Sequence, residues 1–506
     1  MQNNRPYTDA SAGSPSLDVP ATDAAPEPLP APAPAPLYVA RRQIHPKAVK
    51  GRYRSIKTVL GVVLLALFVL LPWLRWDRGP GAADQAVLFD LGEQRIFLFG
   101  LELWPQHIYY MTGAMILAAV GLFLATTVAG RVWCGFTCPQ TVWTDLYVWI
   151  ERLTEGERGA RIRLDRQPWT PTKILRKTVK HALWLLVAFV TGATGIFYLA
   201  DAPTLTVQML RLEAPELAVW SILFLTACTY AMAGFMREHM CIYVCPWPRF
   251  QAAMIDEHSS IVTYADWRGE GRAPLRKSQP AAERKAEGLG DCIDCGACVY
   301  VCPTGIDIRD GLQMDCIGCG LCADACNDVM TRIGRPRDLI LFDSQAAQAA
   351  RAAGAAPAPT RFFRPRTIVY TLLMVTVGSL MTAAMLLKPT ENLTILRDRA
   401  PLFVRLSDGR VQNAYTVKIV NMARQERQYR LTVAGVEGAT LAAAGAKEEA
   451  SGLDLAAQGG GIATYRIYVR APETAQMQPS TPLAFELQPA DGKSDGASHV
   501  SVFLAP

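Results

Sequence analysis

Residues 288 to 330 read GLGDCIDCGACVYVCPTGIDIRDGLQMDCIGCGLCADACNDVM. Eight cysteines fall in two runs, Cys292, Cys295, Cys298, Cys302 and Cys316, Cys319, Cys322, Cys326, and both runs have the spacing C-x2-C-x2-C-x3-C. Pro303 follows the first run, while Asn327 stands at the equivalent place after the second. A segment this polar and thiol-rich belongs in water, yet long apolar stretches flank it on both sides.

The first run, with its proline, has the spacing of bacterial ferredoxins, in which three closely spaced thiolates hold three corners of a cubane and the fourth cysteine ligates the other cluster. The reading is therefore two [4Fe-4S] clusters, one on Cys292, Cys295, Cys298 and Cys326, the other on Cys316, Cys319, Cys322 and Cys302. Gly296, Gly318 and Gly320 are expected at positive φ, where backbone N–H groups approach the sulfurs. Paired C-x2-C units also bind zinc, but eight cysteines in two copies of one spacing favour clusters. The chain has thirteen cysteines, all of them upstream of residue 327, and a reducing compartment makes metal ligation or redox chemistry the default for them.

At 506 residues, with 50% hydrophobic and 19% charged residues, the chain has room for several domains and is too apolar for an ordinary soluble enzyme. Five windows without Asp, Glu, Lys or Arg are long enough to cross a hydrocarbon core of roughly 30 Å. They are Thr58 to Leu74, Ile108 to Ala129, Ala182 to Ala200, Leu217 to Met236 and Thr367 to Leu387. Arg41, Arg42, Lys47, Lys50, Arg52, Arg54 and Lys57 precede the first, and ten further Lys and Arg lie between Arg131 and Lys180. The loops after the first and third windows carry only Arg75, Arg78, Arg95 and Arg211. The positive-inside rule then places the N-terminus and the thiol-rich segment in the cytoplasm and the chain after Lys388 outside, as expected of a multi-pass protein of a bacterial inner membrane. The net charge of +6 follows from this asymmetry, so membrane lipid is an expected partner and nucleic acid is not.

Two further stretches, RVWCGFTCPQTVW from Arg131 and EHMCIYVCPWPRF from Glu238, share C-x3-C-P, and each follows an even-numbered span. The repeat of two spans and one thiol pair points to Cys134, Cys138, Cys241 and Cys245 as one site between two halves. Spacing of i, i+4 puts each pair on one face of a continuing helix, which Pro139 and Pro246 then end or kink. The four thiols suit a third metal centre or a soft cation such as Cu(I), and His239, Met240 and Met236 are ligand types that suit copper. The competing reading is four small buried residues at helix ends. Cys228, alone inside the fourth window, reads as packing.

The expected organisation runs as a Pro/Ala-rich disordered tail (1–40), a four-span membrane region with the duplicated motif (41–266), and a ferredoxin-like α+β segment with two clusters (267–343). A linker (344–366), a fifth transmembrane helix (367–387) and an external domain (388–506) follow. In that last part AYTVKIVNM, QYRLTVAGV, TYRIYVRAP, LAFELQP and HVSVFLAP alternate with period two, the pattern of a β-sandwich.

Taken together from about Arg41, these parts resemble the accessory proteins of cbb3-type cytochrome c oxidase, the FixG/RdxA/CcoG family. That resemblance implies an immunoglobulin-like external domain and an oxidoreductase that reduces Cu(II) to Cu(I) during oxidase assembly, at Cys134, Cys138, Cys241 and Cys245. It also implies copper chaperones and oxidase assembly components as partners, with an electron donor still to be identified. Cu(I) is soft and prefers thiolate and thioether, which agrees with a cysteine-rich site. Two other readings keep the clusters and change the end of the path: a quinol-oxidising polyferredoxin subunit of another reductase, and a non-enzymatic assembly scaffold.

Overall fold

A computed structural model of the chain describes residues 43–505 except 80–81, 93, 277–278, 358–360, 388, 424, 447, 473–477 and 493–495. The expected tail (1–40) lies outside the described residues. Among the described residues, five helices are long and apolar enough to span a bilayer: Arg52–Trp73, Pro105–Ala129, Pro171–Phe197, Glu216–Val244 and Pro365–Leu386. These are the five windows read from the sequence, with ends extended into polar turns. The third begins where Pro171 stands at the first helical position and the Thr170 hydroxyl accepts from the Lys173 amide at 3.2 Å, the arrangement that best starts a helix. It is the most enclosed span, with 39% of its apolar window buried, whereas no residue of the fifth span's window is buried. A helix that apolar and that exposed is stable only where lipid replaces water.

The chain between the first two spans forms a small antiparallel sheet of β1 (Val87–Asp90), β2 (Arg95–Leu98) and β3 (Leu101–Leu103). The buried guanidinium of Arg78 holds this loop together by donating to the carbonyls of Phe99 (2.6 Å), Gln85 (2.9 Å) and Ala86 (2.9 Å).

The cysteine-rich segment is built on two short helices, Ala297–Val301 and Leu321–Arg332. They are closed over by β4 (Ile261–Tyr264), which pairs antiparallel with β5 (Ile340–Asp343). β4 lies upstream of residue 267, so the segment is clasped by chain from both its ends. After β5, the stretch read as a linker contains a helix, Gln345–Ala352, whose N-cap Ser344 accepts from Ala347 N at 3.2 Å.

This segment docks onto the first span through one carboxylate. Gly51 opens the first helix and has no side chain to cap it. Asp324, on the helix between Cys322 and Cys326, accepts from the backbone amides of Arg54 (2.7 Å) and Tyr53 (3.3 Å) instead. Asp324 is only 6% exposed, so the pairing spares both a buried anion and two orphaned helical donors. Tyr53 then packs its ring on Phe342 of β5, 4.9 Å between centroids.

After the fifth span the chain forms the sandwich. Its strands are β6 (Glu391–Arg397), β7 (Val404–Arg405), β8 (Val411–Asn421), β9 (Arg427–Ala434), β10 (Thr440–Ala443), β11 (Gly452–Ala457), β12 (Gly461–Ala471), β13 (Ser480–Pro489) and β14 (Ala497–Leu504). One sheet has the order β10-β12-β8-β6 with β7 on β8, the other β11-β9-β13-β14. The five alternating stretches fall within β8, β9, β12, β13 and β14. Their inward residues, among them Tyr415, Val417, Leu431, Ile467 and Phe485, are fully buried in one core. A sandwich of this size needs nothing more to hold two sheets face to face. Arg95 of β2 donates to Gly460 O, in the turn before β12, at 2.6 Å, so the sandwich also touches the loop between the first two spans.

Two measurements check this architecture. Asp324→Ala removes the cap and is expected to lower the unfolding free energy by about 1–2 kcal/mol, read by denaturant titration of the detergent-solubilised protein; an unchanged midpoint would show the cap to be idle. In the sandwich, hydrogen bonds from Arg410 first, then Thr440 and Arg470, hold the Glu449 carboxyl down at about 2. This lies below the ordinary Glu value of about 4.3, so the group adds stability above that pH and loses it as the pH falls toward 2. Amide exchange in β10 and β12, corrected for intrinsic rates, should accelerate between pH 4.5 and 2.5 in the parent. In Glu449→Gln it should already be fast at pH 4.5 and respond little to further acidification.

Candidate metal centres at the membrane edge

Each ferredoxin-type run begins in an irregular loop and ends in a helix that starts after a glycine in the left-handed region. Gly296, Gly318 and Gly320 have φ of 67°, 68° and 71°, as the spacing required. The loops leave two separate cavities of nearly equal size. Cys292, Cys295, Cys298 and Cys326 line one of about 340 Å³, mouth included. Cys302, Cys316, Cys319 and Cys322 line the other, of about 350 Å³, into which Cys298 also reaches. The exchange of the fourth cysteine between runs is thus present in the fold: Cys326 crosses to the first set and Cys302 to the second.

The donor sets fit iron–sulfur clusters better than single ions. Among the described residues, no three His, Cys, Asp or Glu side chains close on a point that would hold one metal ion, as tetrahedral zinc with Zn–S of roughly 2.3 Å requires. The thiols instead ring a space. Burial pushes Cys298 up to about 11 and Cys319 and Cys326 up to about 12. Backbone amides of Gly318 and Leu321 nevertheless donate to Cys316 and Cys319, a pattern that favours thiolate once a metal replaces the proton. Two polar side chains missed in the sequence border the sets. The Arg309 guanidinium lies 4.0 Å from Cys292 Sγ and is fixed by Asp307 (2.6 Å) and Asp294 (2.5 Å), and Arg309 in turn holds the Asp307 carboxyl below the usual range. The Thr304 hydroxyl sits 3.3 Å from Cys302 Sγ.

The C-x3-C-P pairs depart from the expected geometry. Both lie on π turns, the first after a break in the chain and the second at the end of the helical run Glu216–Val244. Gly130, at φ 61°, breaks the chain after the second span, and Trp133–Thr137 forms one π turn closed by Cys138 N to Trp133 O at 2.9 Å. Met240–Val244 does the same, closed by Cys245 N to Met240 O at 2.8 Å. The π turns end just before the prolines, as one of the two expectations had it, and the prolines kink nothing. Pro139 opens the next helix, Pro139–Glu155, and Pro246 caps Trp247–Met254. The reason is local: proline has no N–H for an i→i−4 bond and a φ suited to a first turn, so the wider π turn absorbs the residue left over.

The expected convergence does occur. Cys134, Cys138, Cys241 and Cys245, two from each half, line one cavity of about 690 Å³, mouth included. Met240 belongs to its lining, whereas Met236 and His239 do not; Cys228 lines none of the three cavities. Four further residues of the wall take part in its polar and sulfur contacts. Gln251, 1% exposed, accepts from Cys134 Sγ at 3.3 Å. Met314 and Cys316 enter from the second ferredoxin run. Arg131 binds the carbonyls of Met314 and Cys316 (2.9 Å) and of Pro248 (3.1 Å), so one guanidinium holds the run against the membrane helices. Burial pushes the Cys134 thiol up to about 12. Contact between the two sites is close enough that a Cβ on Gly135 would meet Gly318 O at 2.7 Å and Cys319 Cα at 2.9 Å. Cys316 faces both the second ferredoxin cavity and the four-thiol cavity.

Comparison with known proteins agrees with this division. Residues 236–345 match a family described as a 4Fe-4S dicluster domain, and residues 111–155, which contain Cys134 and Cys138, match a 4Fe-4S binding domain. Residues 381–506 match the IG-like fold at the C-terminus of FixG. The chain is 46% identical to Protein RdxA of Cereibacter sphaeroides, over 91% of this chain and 96% of that one. It is 44% identical to the nitrogen fixation protein FixG of Rhizobium meliloti, over 87% of both chains. It is 47% identical to Protein RdxB of Cereibacter sphaeroides, over 78% of this chain and 83% of that one. Five apolar spans, iron–sulfur domains at one end of them and an immunoglobulin-like domain after the last recur here in one order, and the chain belongs to the FixG/RdxA family of membrane-bound, oxidoreductase-type iron–sulfur proteins.

Proposed function

We propose that this protein is a cupric reductase of the inner membrane, converting Cu(II) to Cu(I) for the assembly of cbb3-type cytochrome c oxidase. The observation that carries the reading is the single cavity lined by Cys134, Cys138, Cys241 and Cys245 and shared with Cys316 of the second ferredoxin run. Cys292, Cys295, Cys298 and Cys326 hold one [4Fe-4S] cluster, and Cys302, Cys316, Cys319 and Cys322 hold another. Bound clusters supply one-electron transfer, which matches the single electron by which Cu(II) becomes Cu(I).

The chain's own residues define the copper end. Four thiols with the Met240 and Met314 thioethers form a soft donor set that favours Cu(I) over Cu(II). Gln251 fixes the Cys134 sulfur, and Arg131 keeps Met314 and Cys316 at the wall. Copper binding displaces thiol protons, so the buried Cys134 releases its proton when the metal arrives. The positive charges around the first span and after the second support a cytoplasmic position for the clusters and a periplasmic one for the sandwich. Copper chaperones and oxidase assembly components are the partners this reading requires.

A second reading of the same thiols rests on the 4Fe-4S binding-domain match over residues 111–155: the four cysteines hold a third cluster. Anaerobic reduction of Cu(II) by the dithionite-reduced protein, followed with a Cu(I) chelator, separates the two when run beside the variant with Cys134, Cys138, Cys241 and Cys245 changed to serine. The expected outcome is copper reduction in the parent, at least tenfold less in the variant, and equal iron in both. A loss of about four iron atoms per chain in the variant would instead assign a third cluster. Equal copper reduction in both would make the four thiols structural.

Arg131→Met tests the clamp. It should leave iron content unchanged and slow copper reduction several-fold, because the wall that carries Met314 and Cys316 is released; a parent-like rate would remove Arg131 from the account.

A further inference from the structure

A fourth cavity, about 700 Å³ with its mouth, lies where the first span, the helix Pro139–Glu155 and the ferredoxin-type segment meet. Its wall is unbalanced in charge. Lys47, Arg54, Lys57, Arg152 and Arg237 face it, against Asp145 and Glu238. Two of the cations are already committed, Arg54 to Asp145 at 2.8 Å and Arg237 to Glu151 at 2.6 Å. Lys57 shares that same Asp145 with Arg54, and Arg152 meets no carboxylate among the described residues. Lys57 is 4% exposed and makes no hydrogen bond among the described residues; its ammonium stands 3.9 Å from the Asp145 oxygen that Arg54 occupies. Among the described residues the Nε of Arg152 is buried with no partner, and its guanidinium reaches only Pro46 O, at 3.4 Å. An ammonium and a guanidinium left in this condition each cost free energy that an anion between them would recover. The rest of the lining mixes aliphatic side chains, among them Val148, Val301, Ile317 and Leu321, with the uncharged polar Gln140, Thr141, Thr144 and Thr304.

We propose that this cavity binds a phosphate group attached to an apolar body, with Lys57 and Arg152 clasping the oxyanion and the aliphatic wall taking the remainder. Arginine offers a planar fork and lysine a point charge to phosphate oxygens. A basic pocket between helices at the membrane edge is where an acidic phospholipid headgroup binds. A soluble phosphate ester carries the same group. Either ligand would touch the chain before the first span, Cys241 and Thr304 together, and so tie the ferredoxin-type segment to the membrane helices at a further place besides the Asp324 cap and Arg131. The inference does not depend on the copper reading.

Thermal unfolding of the full, iron-loaded chain, followed by loss of visible absorbance, provides the test. It is run in nanodiscs of phosphatidylglycerol or of phosphatidylcholine, and in detergent with and without inorganic phosphate. Ligand that binds only the folded state raises the transition by a few degrees when well above its dissociation constant. The expected result is a higher transition in phosphatidylglycerol than in phosphatidylcholine, a difference abolished in Lys57→Met and in Arg152→Met and retained in Lys57→Arg. A rise with inorganic phosphate and no difference between the two lipids would assign the site to a soluble phosphate ester. No response to either probe, or a response unchanged in both methionine variants while their iron content matches the parent, would overturn the proposal.

Discussion

The structure depends on one carboxylate lying at a helix start. A span that begins at Gly51 presents free amides to a region where water is scarce, and Asp324 accepts two of them at 2.7 and 3.3 Å. Because Asp324 stands between Cys322 and Cys326, the residue that completes a membrane helix is also part of the frame that shapes both cysteine sets. The position of the first span and the geometry of the cavities are therefore coupled: neither element can shift along the membrane normal without exposing an anion or orphaning donors. Arg131 makes a comparable connection from the other half, binding carbonyls in the second run and in the turn at Pro248.

Seen from that constraint, the four-thiol cavity is a product of duplication in the chain and of docking across it. The duplicated halves bring two π turns together, and the docked run adds Met314 and Cys316 to the wall. Nothing in either half alone would gather seven sulfur atoms around one space. Low polarity around them matters as much as their number, since burial disfavours thiolate until a cation takes the proton's place. Such a wall suits a soft cation better than a hard one.

Much of this was legible from spacing, because spacing is local chemistry. The ferredoxin-type cysteines, the presence of the five spans and five sandwich strands follow from periods of three or four, of eighteen and more, and of two. What resisted reading was long-range or conformationally unusual. Asp324 looks like any polar residue on a short helix, and its partners lie 270 and 271 residues away. Gln251 and Met314 stand in no motif, and Arg131 precedes its cysteine pair with nothing to mark its partners. The C-x3-C-P turns were misread as continuing helix because i, i+4 spacing is also compatible with a π turn, and the proline that suggests a kink here begins the next helix. β4 was overlooked since four residues, Ile261–Tyr264, carry little period-two signal until β5 arrives to pair with them.

The contact of Arg95 with Gly460 gives the sandwich a second attachment. A domain joined to a helix by one chain sweeps a cone; joined also by a loop between two other spans, it turns only about the line through both anchors. Its orientation is then tied to the packing of the helices that carry both anchors.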